Sequence, residues 1–243
     1  MRSFWIALAF LTRLPTPGTP VPTPQEMGRS ILYFPAVGLL LGVILAVAAW
    51  LFSGLNPALA AALLLACGIA LTGVLHLDGL ADSADAWVGG HGDADRTLSI
   101  MKDPRSGAAG VAAVVVMLLL QYAALQVIVE QRLWGALIAA PVAGRAAAAA
   151  LFLTTPYVRR HGLGEALAQF LPRRALTWML VVSAIVIAAA AGGFAWSVLA
   201  VAAGVFWLGR RAMMLRIGGT TGDTAGAMVV GVECAVLVVM AWR

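Results

Sequence analysis

Apolar residues run along this chain in long blocks near 31–52, 57–76, 107–130, 133–154, 175–192, 194–211 and 224–242, separated by short polar segments. Each block is close to the ~20 residues that cross a hydrocarbon core as a helix. The pattern predicts an all-α polytopic integral membrane bundle of about seven transmembrane helices. Residues 58–75 carry no charge, and 176–208 is one apolar block divided at Gly192-Gly193, where the reading places a tight extracytoplasmic turn. The whole chain, 1–243, reads as one membrane-embedded domain: an N-terminal interfacial helix at 1–14, a Pro-rich linker at 15–30 and the transmembrane bundle at 31–242.

Composition removes the soluble alternative, since 62% of residues are hydrophobic and 11% charged, with a mean hydropathy of +0.94. Soluble domains are about a quarter charged. The basic residues fall in alternate loops: Arg2, Arg13 and Arg29; Arg96, Lys102 and Arg105; Arg159, Arg160, Arg173 and Arg174; Arg210, Arg211 and Arg216. These belong on the cytoplasmic side, while the opposite loops hold only Arg132, with Arg243 at the C-terminus. The expected topology is therefore N-terminus in and C-terminus out. This asymmetry accounts for the net charge of +5, and no basic run interleaved with aromatics suggests nucleic acid. Cys67 and Cys234 are isolated thiols in predicted spans, without metal-ligand spacing. The first residues do not form a cleavable signal, because Arg13 interrupts a short apolar run and prolines 15, 17, 20, 22 and 24 follow. They predict an uncleaved interfacial helix with Phe4, Trp5, Leu8 and Leu11 toward lipid.

Nearly all the carboxylates lie on the expected cytoplasmic face. Asp93 and Asp95 read as a solvated loop, whereas Asp78, Asp82 and Asp85 are spaced by four and three residues at the mouth of a span. On a helix these three fall within roughly a 60° arc and repel one another unless a cation lies among them. Oxygen ligands of this kind suit Mg²⁺, or Mn²⁺ in its place, which points to phosphoryl chemistry. A second constellation, Arg216-Ile217-Gly218-Gly219-Thr220-Thr221-Gly222-Asp223, returns to the same side between the last two spans. Its glycines let backbone N–H groups approach an anion, with a helix start behind them. A third, Met101-Lys102-Asp103-Pro104-Arg105-Ser106-Gly107, offers two cations that serve either as topology signals or as a phosphate clamp. Arg145, inside a span, faces either a cavity or an ion-pair partner such as Glu233.

These pieces, in this order and over almost the whole chain, resemble the cobalamin synthases, the adenosylcobinamide-GDP ribazoletransferases. The resemblance rests on Phe10-Leu11-Thr12-Arg13-Leu14-Pro15; Phe34-Pro35 with Gly38 and Gly42; His76-Leu77-Asp78-Gly79-Leu80-Ala81-Asp82 with Asp85; Ile100-Met101-Lys102-Asp103 with Arg105 and Gly107; and Gly218-Gly219 with Thr221-Gly222-Asp223 and Gly226-Ala227. Pro104 departs from the family's usual Ser. Val230 stands where many members carry a Glu, leaving Glu233 one turn on.

The resemblance implies attack by the 3′-hydroxyl of α-ribazole, or of its 5′-phosphate, on the cobinamide-linked phosphorus of adenosylcobinamide-GDP, with GMP leaving and Mg²⁺ assisting. It assigns Asp78, Asp82 and Asp85 to the metal-diphosphate centre, and Asp82, Asp85 or Asp103 to the catalytic base. Lys102, Arg105, Gly218, Gly219, Thr221, Gly222, Asp223, Arg13 and His76 become substrate-binding residues. It also implies the bacterial cytoplasmic (inner) membrane, with the site on the cytoplasmic side; a homo-oligomer or a complex with other cobalamin-assembly enzymes is left open. Two other readings compete. A CDP-alcohol phosphotransferase shares Asp-Gly-x-x-Ala, but Asp82 stands where that signature has Arg. An ion-coupled transporter predicts midplane carboxylates and related halves, which this sequence lacks.

Overall fold

A computed structural model describes residues 1–18, 21–159, 162 and 164–242. Pro20 of the linker, and Arg160 and Arg243 of the orientation argument, lie outside them. Among the described residues the chain is helical throughout, with one isolated bridge and no strand. In order, the helices are α1 (Arg2–Leu11), α2 (Pro24–Ser30), α3 (Phe34–Leu51), α4 (Pro57–Thr72), α5 (Leu75–Gly89), α6 (Ala94–Ile100), α7 (Ala108–Glu130), α8 (Trp134–Thr154), α9 (Gly164–Gln169), α10 (Arg173–Ala191), α11 (Ala195–Ile217) and α12 (Gly222–Ala241).

Five helical stretches are long and apolar enough to cross a membrane, or six if the bent pair α4–α5 counts as one span. The chain is a multi-pass membrane protein. Its centre is α8, which packs on α3, α10 and α12. Gly38 and Gly42 let α3 settle directly on the α8 backbone at Pro141 and Ile138, the small-residue contact by which helices associate where lipid removes the hydrophobic drive.

The apolar stretch 173–217 is folded on itself. A straight helix would hold residues 173 and 210 about 55 Å apart. Instead Arg173 Nη2 donates to Leu153 O at 2.8 Å, and Arg210 Nη2 donates to Thr154 O at 2.8 Å. Both cations thereby neutralise the carbonyl end of α8. The reversal occurs at Gly192, whose φ of 56° lies in the left-handed region.

Several expectations are corrected. The 57–76 span ends at Thr72, and α5 departs from α4 at 88°. Gly73 and Val74 both adopt positive φ, 60° and 67°, so the helical hydrogen-bond ladder is broken within an uninterrupted apolar run. The expected 194–211 span continues to Ile217, which places Arg210, Arg211 and Arg216 on a helix rather than in a loop. The 224–242 span begins at Gly222, bringing Asp223 into its first turn. Part of the linker is helical, because Thr23 and Glu26 form a reciprocal capping box at the start of α2. Finally, Leu8 and Leu11 face the core instead of lipid, each 3% exposed, and Phe4 and Trp5 are half-buried against it. Aromatic contacts of Phe4 with Tyr33 and Phe10 with Phe34 hold α1 to the bundle.

Candidate functional site

The acidic residues 78, 82 and 85 lie on α5, which is fastened at both ends. At its start, the Arg13 N–H donates to Leu71 O at 2.8 Å and the Arg13 side chain lies over Gly73, bracing the bend. At its end, the Arg216 guanidinium donates to Trp87 O and lies over the Trp87 ring. Asp78 is exposed in the first turn, where the helix dipole favours an anion. Asp82 follows one turn later on the same face, half-buried. Asp85 is drawn away from both: its Oδ2 accepts from Gly107 N–H at 2.6 Å and its Oδ1 from Gly110 N–H at 2.8 Å. It thus caps two orphan donors at the start of α7.

Opposite α5 stands the first turn of α12. Thr221 and Thr224 form a capping box there, Thr224 N–H donating to Thr221 Oγ1 at 3.2 Å and Thr221 N–H to Thr224 Oγ1 at 2.9 Å. Thr220 N–H is bonded to Pro156 O at 2.8 Å. Three amides of the glycine-rich turn are therefore used within the fold. Gly218 closes α11 at a φ of 70°, and Gly219 lies against Pro156.

The two halves touch. A Cβ on Gly79 would lie 2.5 Å from Asp223 O, so only glycine permits this approach of α5 to α12. The 155–159 segment runs beside the turn, with Val158 N–H donating to Thr220 O at 3.0 Å. This pairing delivers Arg159 to Asp223, Nη1 to Oδ2 at 2.5 Å. Between these elements lies a cavity of about 350 Å³. Asp78, His76, Gly222, Asp223, Arg159 and Tyr157 supply its polar lining, and Phe10, Phe34 and Phe152 its apolar side.

The remaining sequence-derived residues stand in the 101–107 loop. Lys102 is exposed. Asp103 is engaged by Arg105 through two bonds, Nε to Oδ1 at 2.9 Å and Nη2 to Oδ2 at 2.6 Å. Hydrogen bonding to Arg105 holds the Asp103 carboxyl down at about 2, which makes it a weak base. Among the described residues, no group of three or more His, Cys, Asp or Glu side chains is placed to hold a metal ion; Asp78, Asp82 and Asp85 do not converge as a three-carboxylate cage.

Arg159, Tyr157 and Phe152 are members of the site that sequence reasoning did not single out, while Phe10 and Phe34 entered it only through the family resemblance. Arg159 carries no distinguishing signal, because a basic residue in such a loop already has an explanation in topology. Arg145 meets both of its expectations, pairing with Glu233 and lining a cavity.

The family model described as cobalamin-5-phosphate synthase matches residues 3–241. A protein of Pseudomonas entomophila (strain L48) described as adenosylcobinamide-GDP ribazoletransferase is 55% identical over 242 residues, covering 99% of each chain. One of the same description from Stutzerimonas stutzeri (strain A1501) is 58% identical over 238 residues, covering 97% of this chain and 96% of its own. A third, from Pseudomonas aeruginosa PAO1, is 52% identical over 242 residues, covering 99% and 98%. No solved structure matches.

Proposed function

Because the chain belongs to the cobalamin-5-phosphate synthase family, we propose that it joins adenosylcobinamide-GDP to α-ribazole, or to α-ribazole 5′-phosphate, with release of GMP. The observation that carries this reading to particular residues is the shared cavity. Asp78 of the acidic helix and Asp223 of the glycine-rich turn line one space, with a guanidinium between them and the solvent-facing loop.

The donor set fits a divalent cation completed by substrate. Mg²⁺ is usually held by one or two carboxylates plus substrate phosphates, and Asp78 and Asp223, which line one cavity, offer that rather than an all-protein cage. Asp78 and Asp223 would hold Mg²⁺, or Mn²⁺ in its place, leaving Asp82 outside the ion's shell. The ion would supply charge neutralisation on the diphosphate, easing approach of the nucleophile.

The protein's own groups do the rest. Arg159 exchanges its carboxylate partner for diphosphate oxygens, and Lys102 and Arg105 add attraction from a loop tied to α5 through Asp85 and Gly107. Of the three carboxylates offered as base, Asp85 is held by two N–H groups and Asp103 by Arg105. Asp82 therefore takes the proton of the ribazole hydroxyl. The new oxygen–phosphorus bond forms at the cobinamide-linked phosphorus, and the bond to GMP breaks.

The proposal places the site and the N-terminus on the cytoplasmic side of the bacterial inner membrane. It counts seven spans, with 173–217 crossing twice and α4 once. In liposomes supplied with adenosylcobinamide-GDP, α-ribazole and Mg²⁺, the purified protein should release GMP and the completed corrinoid in equal amounts. Turnover of a CDP-alcohol instead would overturn the reading. Asp82→Asn should lose activity about 100-fold or more while inserting normally; full activity in that variant removes Asp82 as the base.

A further inference from the structure

A second cavity, of about 100 Å³, adjoins the first among α4, α7, α8 and α12. His76 lines both. The walls are mostly aliphatic, Leu64, Leu125 and Leu137 among them, and the polar contribution comes chiefly from His76, Gln121, Arg145 and Glu233. Arg145 is 2% exposed. One of its terminal nitrogens pairs with Glu233, yet its Nε has no hydrogen-bond partner among the described residues. A buried N–H without an acceptor is uncommon in folded proteins and points to a missing partner.

We propose that this cavity seats the aromatic base of the acceptor nucleoside, with Arg145 Nε–H donating to the base's free ring nitrogen. The inference rests on the ribazoletransferase reading and says where one of its two substrates binds. Size comes first: pockets for drug-sized ligands start near ~300 Å³, so this one takes a single small ring system, not a corrinoid or a nucleotide. Polarity comes second. Mostly aliphatic walls, with the unpartnered Arg145 Nε–H among their few polar groups, favour a flat, largely hydrocarbon heterocycle that carries an acceptor. The benzimidazole base of ribazole has that character, since one ring nitrogen carries the ribose and the other is free. A purine base would bury several further donors and acceptors, for which the cavity offers only Gln121, His76 and the already paired Glu233, and is disfavoured. The inference requires the ribose to reach past His76, the residue common to both cavities, toward Asp78 in the cavity assigned to the diphosphate.

Gly68 provides a test with little risk to folding. It lines the cavity, and a Cβ added there meets no atom within 4 Å. Gly68→Leu should raise the KM for α-ribazole about tenfold or more and leave the KM for adenosylcobinamide-GDP within about twofold. In the wild-type protein, free benzimidazole should compete with α-ribazole and adenine should not. An unchanged α-ribazole KM in membrane-inserted Gly68→Leu overturns the inference, as does competition by adenine equal to that by benzimidazole. Should the variant fail to insert, the wild-type competition decides alone, and a benzimidazole that does not compete overturns the inference. If the wild-type protein releases no GMP at all, the functional reading itself is lost and this inference with it, an outcome visible before any variant is compared.

Discussion

Helix α12 carries two carboxylates ten residues apart, about 15 Å along its axis, and each meets an arginine from a different kind of segment. Asp223 meets Arg159, which a loop presents through two backbone hydrogen bonds; the side chains keep 18% and 28% of their exposure. Glu233 meets Arg145, which projects from the middle of α8 and keeps 2%. The chemical pair is the same, but its surroundings are not. At the start of α12, partial solvation makes the carboxylate replaceable at little cost, as the proposed diphosphate contact requires. In the interior, the carboxylate keeps the same 18% but the Arg145 guanidinium has nowhere else to go. The first pair is therefore exchangeable and the interior pair fixed.

Breaking the interior pair should have the largest effect on stability. Glu233→Ala leaves a buried guanidinium uncompensated, and thermal unfolding in detergent should show a loss of ~3–5 kcal/mol. Replacing both partners by Met should recover most of that loss, since the desolvation of two charges disappears along with their attraction. If Glu233→Ala proves as stable as wild type, the contrast between the pairs collapses. Asp223→Ala should do the opposite, costing less than ~1 kcal/mol of stability but lowering kcat/KM for adenosylcobinamide-GDP by about tenfold or more. Asp85→Ala removes the cap of α7 and should cost ~0.5–2 kcal/mol, read as a lower midpoint of unfolding.

The smallest effect belongs to the exposed loop pair. Arg105→Ala should return the Asp103 titration from about 2 toward the ordinary ~4, followed by carboxyl-carbon NMR. Because the folded-state value is depressed, the stabilisation it reflects is present above pH ~4 and is lost as pH falls toward 2. At neutral pH, where that stabilisation is fully present, the variant should be slightly less stable than wild type, and the two should converge as pH falls toward 2.

Hydropathy read the long spans well because lipid and protein core both demand apolar side chains. That same equivalence hid the placement of α1. Leu8 and Leu11 suit a lipid face or a core face equally, and only tertiary contacts decide between them. The bend after Thr72 was hidden for a related reason, since Leu71, Gly73, Val74 and Leu75 continue the apolar run while the backbone changes direction. In the site, the acidic helix and the glycine-rich turn were legible as motifs, and the structure packs them together at Gly79. Asp85 was misleading: its seven-residue spacing from Asp78 suggests a shared face, but its short side chain reaches the start of a neighbouring helix. Nothing local in the sequence announces that.

The bend at Gly73 has a further consequence for how the protein meets its bilayer. Sixteen residues of α4 rise about 24 Å, short of the ~30 Å hydrocarbon layer, before α5 turns aside. A span this short is matched only where the lipid thins or flanking residues reach the interface. Acyl-chain length should then tune turnover, with longer lipids in the liposomes stretching the mismatch and lowering activity.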